Sequence, residues 1–209
     1  MNRLIFIILF VQCLIASAQH KPMDTQTIQR IKQGVSQSSL KTETIFSEFT
    51  QEKEMSILND KIISSGRFYF KKDGLLRWEY LHPFSYVIAI RGDFISIRDE
   101  GKIRTYNTQS DKVFTEVNRI IIGSMNGTLL VDGSFTDDYD QNNGHYIVTL
   151  TPLAAPLKEN LDKVIIYFNK TDFTVDKLEM VEPAGDYTRI TFTKKQLNHP
   201  IADEVFILR

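Results

Sequence analysis

Cysteine is almost missing from this 209-residue chain: Cys13 is the only one, and it lies in an apolar stretch at the start. No disulfide framework and no thiol chemistry are therefore expected of the folded part. Histidine is scarce as well. His20, His82, His145 and His199 have no second histidine or carboxylate at ligand spacing, so no metal centre is expected. There is no serine-hydrolase elbow, no phosphate-binding glycine loop and no HExxH zinc motif. An excess of charge is also lacking: 25 Lys and Arg stand against 26 Asp and Glu. That balance leaves neither a footprint for nucleic acid nor a polybasic face for anionic lipid. No catalytic residue and no cofactor is expected, and nothing in the chain asks for an enzyme.

Three weaker patterns have plain explanations. The run "DDYD" at 137–140 lacks the glycine and terminal glutamate of a calcium loop and reads as a solvated strand end. "RGD" at 91–93 reads as a turn between two strands. "NGT" and "NKT" match the glycosylation tripeptide, which occurs by chance in chains of this length.

What the chain does have begins with "MNRLIFIILFVQCLIASA". One positive charge at Arg3, an apolar run from Leu4 to Ala16 and small residues at Ala16 and Ala18 predict a secretory signal peptide over 1–18, cut before Gln19. The run is shorter than the roughly 20 residues that cross a bilayer, and no later run is long enough. Cys13 is not expected to carry lipid, because Gln12 stands where such sites need a small residue. Residues 19–209 are expected to form one exported domain with a core large enough to dispense with disulfides.

Residues 24–36 start on a capping candidate, Asp24, and place Ile28, Ile31 and Val35 at helical spacing. Their thin apolar stripe predicts a helix lying across another surface. From about Thr44 the period is two: strands are predicted through Ile45 and Phe49, then over 62–70, 75–80, 85–91 and 94–98, with turns at Asp73-Gly74, His82-Pro83, Gly92-Asp93 and Glu100-Gly101. In the first hairpin a two-residue turn would set Phe70 against Arg77 and mix the faces. A three-residue loop, Lys72-Asp73-Gly74 with Gly74 left-handed, pairs Phe70 with Leu76 and Phe68 with Trp78. Between 111 and 131 the period returns to helical, through Val113, Val117, Ile120, Ile121 and Met125, with Gly127 as a break before a short second helix. Strands follow over 135–139, 145–151, 164–168, 173–181 and 187–193, and "DEVFIL" at 203–208 reads as a closing strand. The fold predicted is α+β: one large curled antiparallel sheet of about 11 strands, an unclosed β-barrel, with helices covering its concave face.

"FSEFTQEK" (46–53) and "SSGRFYFKKDGLLRWEYLHP" (64–83) resemble the periplasmic outer-membrane lipoprotein carriers, the LolA/LolB-like group. The matching residues are Phe49, Thr50 and Gln51, then Gly66, Lys71, Lys72, Trp78 and Pro83. The resemblance extends over nearly all of 19–209. It implies a periplasmic protein whose apolar cavity takes the acyl chains of lipoproteins, with an inner-membrane release complex and an outer-membrane acceptor as partners. Nothing demands more than a monomer. The lining expected is Phe49, Phe68, Phe70, Leu76, Trp78, Tyr86, Ile88 and Ile90 from strands, and Ile28, Ile31, Ile120, Ile121 and Leu129 from the lid helices. Lys72 is the expected lid contact. The chain departs from the group here: Lys72-Asp73 stands where the better-known carriers have arginine-proline, and lysine lacks the planar fork of arginine. Other readings of the same residues are a packed core without a cavity, a carrier or sensor of another amphiphile (a glycolipid or polyene-type lipid), and a lipid-modifying or structural envelope protein.

Overall fold

A computed structural model describes residues 23–56, 60–72, 74–107, 112–131 and 133–209, with the backbone alone for 112–118. The expected leader at 1–18 with Cys13, His20, Asp73 and the side chains of Val113 and Val117 lie outside the described residues. Helix α1 spans Thr25–Lys41. As its sequence suggests, Asp24 caps it, Oδ1 accepting the Thr27 N–H at 2.9 Å. It runs further than residue 36 because distant side chains cap its last carbonyls. Lys72 Nζ donates to the Leu40 oxygen at 3.0 Å, and Asn198 Nδ2 to the Lys41 oxygen at 3.1 Å.

Eleven strands follow: β1 Thr44–Glu54, β2 Lys61–Lys71, β3 Leu75–His82, β4 Tyr86–Arg91, β5 Phe94–Asp99, β6 Lys102–Asn107, β7 Phe135–Gln141, β8 His145–Pro152, β9 Lys163–Asn169, β10 Val175–Val181 and β11 Tyr187–Leu197. Helix α2, Lys112–Asn126, and a 3-10 turn at Thr128–Leu130 lie between β6 and β7; a four-residue helix α3, Ala155–Lys158, lies between β8 and β9. Gly127, at φ 72°, breaks α2 where the sequence places the break.

All strands belong to one antiparallel sheet in the order β6-β5-β4-β3-β2-β1-β11-β10-β9-β8-β7. Two meanders thus meet where β1 pairs with β11. The edge strands β6 and β7 do not pair with each other, so the barrel stays unclosed. The first hairpin has the register that hydrophobic phase requires, Phe68 opposite Trp78 and Phe70 opposite Leu76, with Gly74 at φ 75°.

The count of eleven agrees with the sequence reading, but its membership differs. Residues 203–206 form a 3-10 turn instead of a closing strand. This turn lies over β3 and β4, where Phe206 is buried and Arg77 donates to the Val205 oxygen at 3.1 Å. The eleventh strand is β6, all six of whose residues are exposed. With no buried face it carries no apolar alternation to read; backbone pairing with β5 alone makes it a strand.

The core occupies the concave side beneath α1 and α2. Around Phe68, Phe192 and Met125 a void of only about 10 Å³ remains, at the lower limit of what one water needs. At this end of the sheet Asp176 accepts from Asn169 Nδ2 and faces His145 Nε2, both at 2.9 Å, and pairs with Lys195. Burial alone would push the Asp176 carboxyl up, but Lys195, Asn169 and His145 outweigh it and leave the pKa below 3.8. A depressed carboxyl stabilises the fold above its unfolded value and stops doing so as pH falls through the folded one. Asp176→Asn should therefore melt lower than the parent at neutral pH, and the gap should close as the pH is taken below 3.8. A gap that stays constant into acid would mean that the carboxylate charge contributes nothing.

Candidate functional site

Each inward-facing strand position climbs from a packed end towards an open one. On β1 the inward residues are Phe49, Gln51 and Lys53; on β3 they are Leu76, Trp78 and Tyr80. Phe49 belongs to the packed end, its ring 4.7 Å from that of Trp78 and 5.2 Å from that of Tyr80. Phe68 and Phe192 close on Trp78 from below, at 5.0 and 6.0 Å. Above this aromatic layer, between the sheet and α2, a cavity of about 1030 Å³ opens.

Leu76, Trp78, Ile88, Ile120, Ile121, Leu161 and Ile190 form its apolar floor and walls. Gln51, level with Ile190, and Tyr80 form a polar belt beside them, and Met180 and Thr188 stand one level higher, opposite Lys53. Lys53, Arg119, Ser134, Ala154, Pro156, Leu157, Asn160 and Glu182 stand at the rim. Ala154, Pro156 and Asn160 are exposed, which places the mouth at the connection carrying α3. Phe84 in the β3–β4 turn and Leu153 before α3 stand exposed at the same end of the sheet.

Of the lining expected from the sequence, Leu76, Trp78, Ile88, Ile120 and Ile121 border the cavity. Phe49, Phe68, Phe70, Ile90, Ile31 and Leu129 are buried in the core and do not reach it. Ile28 packs partly buried against that core, and Tyr86 stands half-buried with its ring 6.1 Å from Tyr80. Periodicity assigns residues to the concave face; it does not say where α1 fills that face and where nothing does. Lys72 lies at the opposite end from the mouth. Besides holding Leu40 it pairs with Glu43 at 2.9 Å, so a lysine at this turn fastens α1 with a point charge. Among the cavity residues outside the expected lining, the stretch around α3 has a readable pattern: Leu157 and Leu161 at i, i+4 after Pro156. Gln51 entered only through the family resemblance, and Lys53, Arg119 and Glu182 carried no signal, since polar residues facing inward read as solvent-facing.

The polar groups of the belt are held in low dielectric. Tyr80 donates to Gln51 Oε1 at 2.9 Å. Burial pushes its phenol up to about 12, an effect that the neighbouring Trp78 indole N–H offsets only in part. That N–H is itself buried and, among the described residues, makes no hydrogen bond of good geometry. Among the described residues no nucleophile–base pair borders the cavity, whose floor is apolar and whose edge is polar.

The family model of the outer membrane lipoprotein carrier protein LolA matches residues 23–209. The chain belongs to the LolA family. Solved structures similar to it include an uncharacterized conserved protein from Thermus thermophilus, at TM-score 0.54 and 10% identity over 87% of this chain and 93% of that one. The lipoprotein LppX of Mycobacterium tuberculosis is similar at TM-score 0.50 and 10% identity, over 86% of this chain and 99% of that one. At such identities these likenesses speak for the fold alone. No curated protein matches the sequence. LolA-family membership and the unclosed eleven-stranded sheet agree with the resemblance carried by residues 46–53 and 64–83.

Proposed function

We propose that this LolA-family protein is a carrier, not an enzyme: it takes the acyl chains of lipoproteins into the cavity beneath α2 and ferries them through the periplasm. The observation that carries this reading is the cavity of about 1030 Å³ with an apolar floor, open at the end of the sheet where α3 lies. Its size lies at the upper end of the usual range of small-molecule pockets, about 300–1,000 Å³. Burying a methylene is worth about 0.8 kcal/mol, so complete burial of several long chains would hold cargo too tightly for release. A carrier is better served by covering part of each chain and leaving the rest to its partners. Direction then comes from a loading complex at the inner membrane and a tighter acceptor at the outer one. The chain acts as a monomer in this scheme, exported with its leader removed after Ala18.

Native purification from the envelope followed by mass spectrometry tests the reading. The expected result is a chain beginning at Gln19 that carries lipoprotein through its acyl groups. A free lipid in place of lipoprotein would support the other-amphiphile reading, and a protein that comes away with no lipid at all would contradict both.

A further inference from the structure

The charges at the cavity mouth are not arranged like those on the outside of the same strands. On the convex face Lys61 pairs with Glu52 and Glu54 at 2.8 and 3.0 Å, Lys177 with Glu179 at 3.1 Å, and Arg189 with Glu179 at 3.2 Å and Glu52 at 3.5 Å. Lys53, on β1 among these acids, points the other way. It is half-buried, opposite Thr188 on one side and Ile62 on the other, and borders the cavity. Among the described residues it has no ion-pair partner. Asp186 is near enough to feel its charge, but that carboxylate accepts the Ser56 N–H at 2.7 Å and makes no salt bridge with Lys53.

Half-burial covers the aliphatic stem of Lys53, and its ammonium stands at the edge of an apolar space where a ligand anion could meet it. Two cations, Lys53 and Arg119, and one acid, Glu182, border the cavity. The Arg119 guanidinium lies over the Phe135 ring at 5.4 Å, which holds it at the wall. Strand geometry sets the depth. At about 3.4 Å per residue, Lys53 stands about 7 Å above Gln51 and about 14 Å above Phe49 in the solid core. A tail lying on Trp78 and Ile190 would thus bring its headgroup to the level of Lys53.

We propose that the cavity is selective for amphiphiles with an anionic headgroup, a carboxylate or phosphate, which Lys53 binds at the mouth while the tail lies on the apolar floor. This names the ligand class of the cavity and rests on the carrier reading above in its other-amphiphile form, since the ester- and amide-linked tails of a lipoprotein end in no carboxylate or phosphate.

The test is calorimetry with probes of one tail length, each below its micelle concentration: laurate, dodecyl phosphate, dodecyltrimethylammonium and dodecyl maltoside, with inorganic phosphate as the tailless arm. The two anionic amphiphiles should bind about tenfold more tightly than the cationic one. Raising the salt should narrow that difference. Inorganic phosphate should not bind measurably. In Lys53→Gln the preference should fall below about threefold with dodecyl maltoside affinity unchanged, and Lys53→Arg should retain the preference. Equal affinities for all four headgroups, or a preference that survives Lys53→Gln, would overturn the inference while leaving the carrier reading intact. Inorganic phosphate binding as tightly as dodecyl phosphate would overturn it too, by showing an anion site independent of any tail. Failure of every amphiphile to bind would overturn both readings.

Discussion

Replacing Met180 with tryptophan should lower the affinity for a long-chain amphiphile about a hundredfold while leaving the fold in place. Met180 stands half-buried on β10 and borders the cavity. An indole there would occupy the space of three or four methylenes. At about 0.8 kcal/mol each, their exclusion costs about 3 kcal/mol, and each 1.4 kcal/mol is about a factor of ten in affinity. Overpacking normally destabilises because there is no room for the added atoms. Here the cavity supplies the room, so the melting temperature should move little. Calorimetric titration and a thermal melt on the same sample measure both quantities. Unchanged affinity in a folded variant would mean that hydrocarbon does not lie in this cavity.

Gly66→Ala should show the reverse pattern, with stability lost before binding can be asked about. Gly66 faces Phe49 on β1 and Tyr80 on β3, at a register shift between Ser65 and Gly66. A Cβ at this position would lie 1.8 Å from the Glu79 carbonyl oxygen and 2.9 Å from the Tyr80 Cα. These are backbone atoms, so no rotamer change relieves the contact, and β2 and β3 would have to separate beside the Phe49–Tyr80 ring pair. The expected cost is about 3 kcal/mol, the upper end for overpacking. It is read as a lowered urea midpoint with unchanged slope. A midpoint within error of the parent would show that the hairpin gives way easily, and with it the wall that carries Trp78.

The contrast between these two positions explains how much could be read in advance. Local pairing was legible: Asp24 caps α1, and the phase of Phe68, Phe70, Leu76 and Trp78 pointed to the register that is observed. Elements that depend on distant partners were not. The last turn of α1 is held by Lys72 and Asn198, and Phe206 is buried on the convex face by a turn that reads locally as a strand. The same division holds for the cavity. Alternation told which residues face inward, and Leu76, Trp78 and Ile88 were among them. Whether an inward residue meets α1 or empty space depends on where a helix lies across eleven strands, a tertiary fact with no local period. The inward polar residues Gln51 and Lys53 show the same limit, because a mouth needs a polar edge and a polar edge looks like surface.

Trp78 offers the most direct measurement of the central claim, that hydrocarbon tails occupy the hollow above the aromatic layer. It is the chain's single tryptophan, packed on Phe49 and Phe68 and bordering the cavity. Titrating the folded protein with a long-chain amphiphile should change the indole emission and saturate at a defined stoichiometry. Emission that stays constant through the titration, with folding intact by circular dichroism, would contradict it.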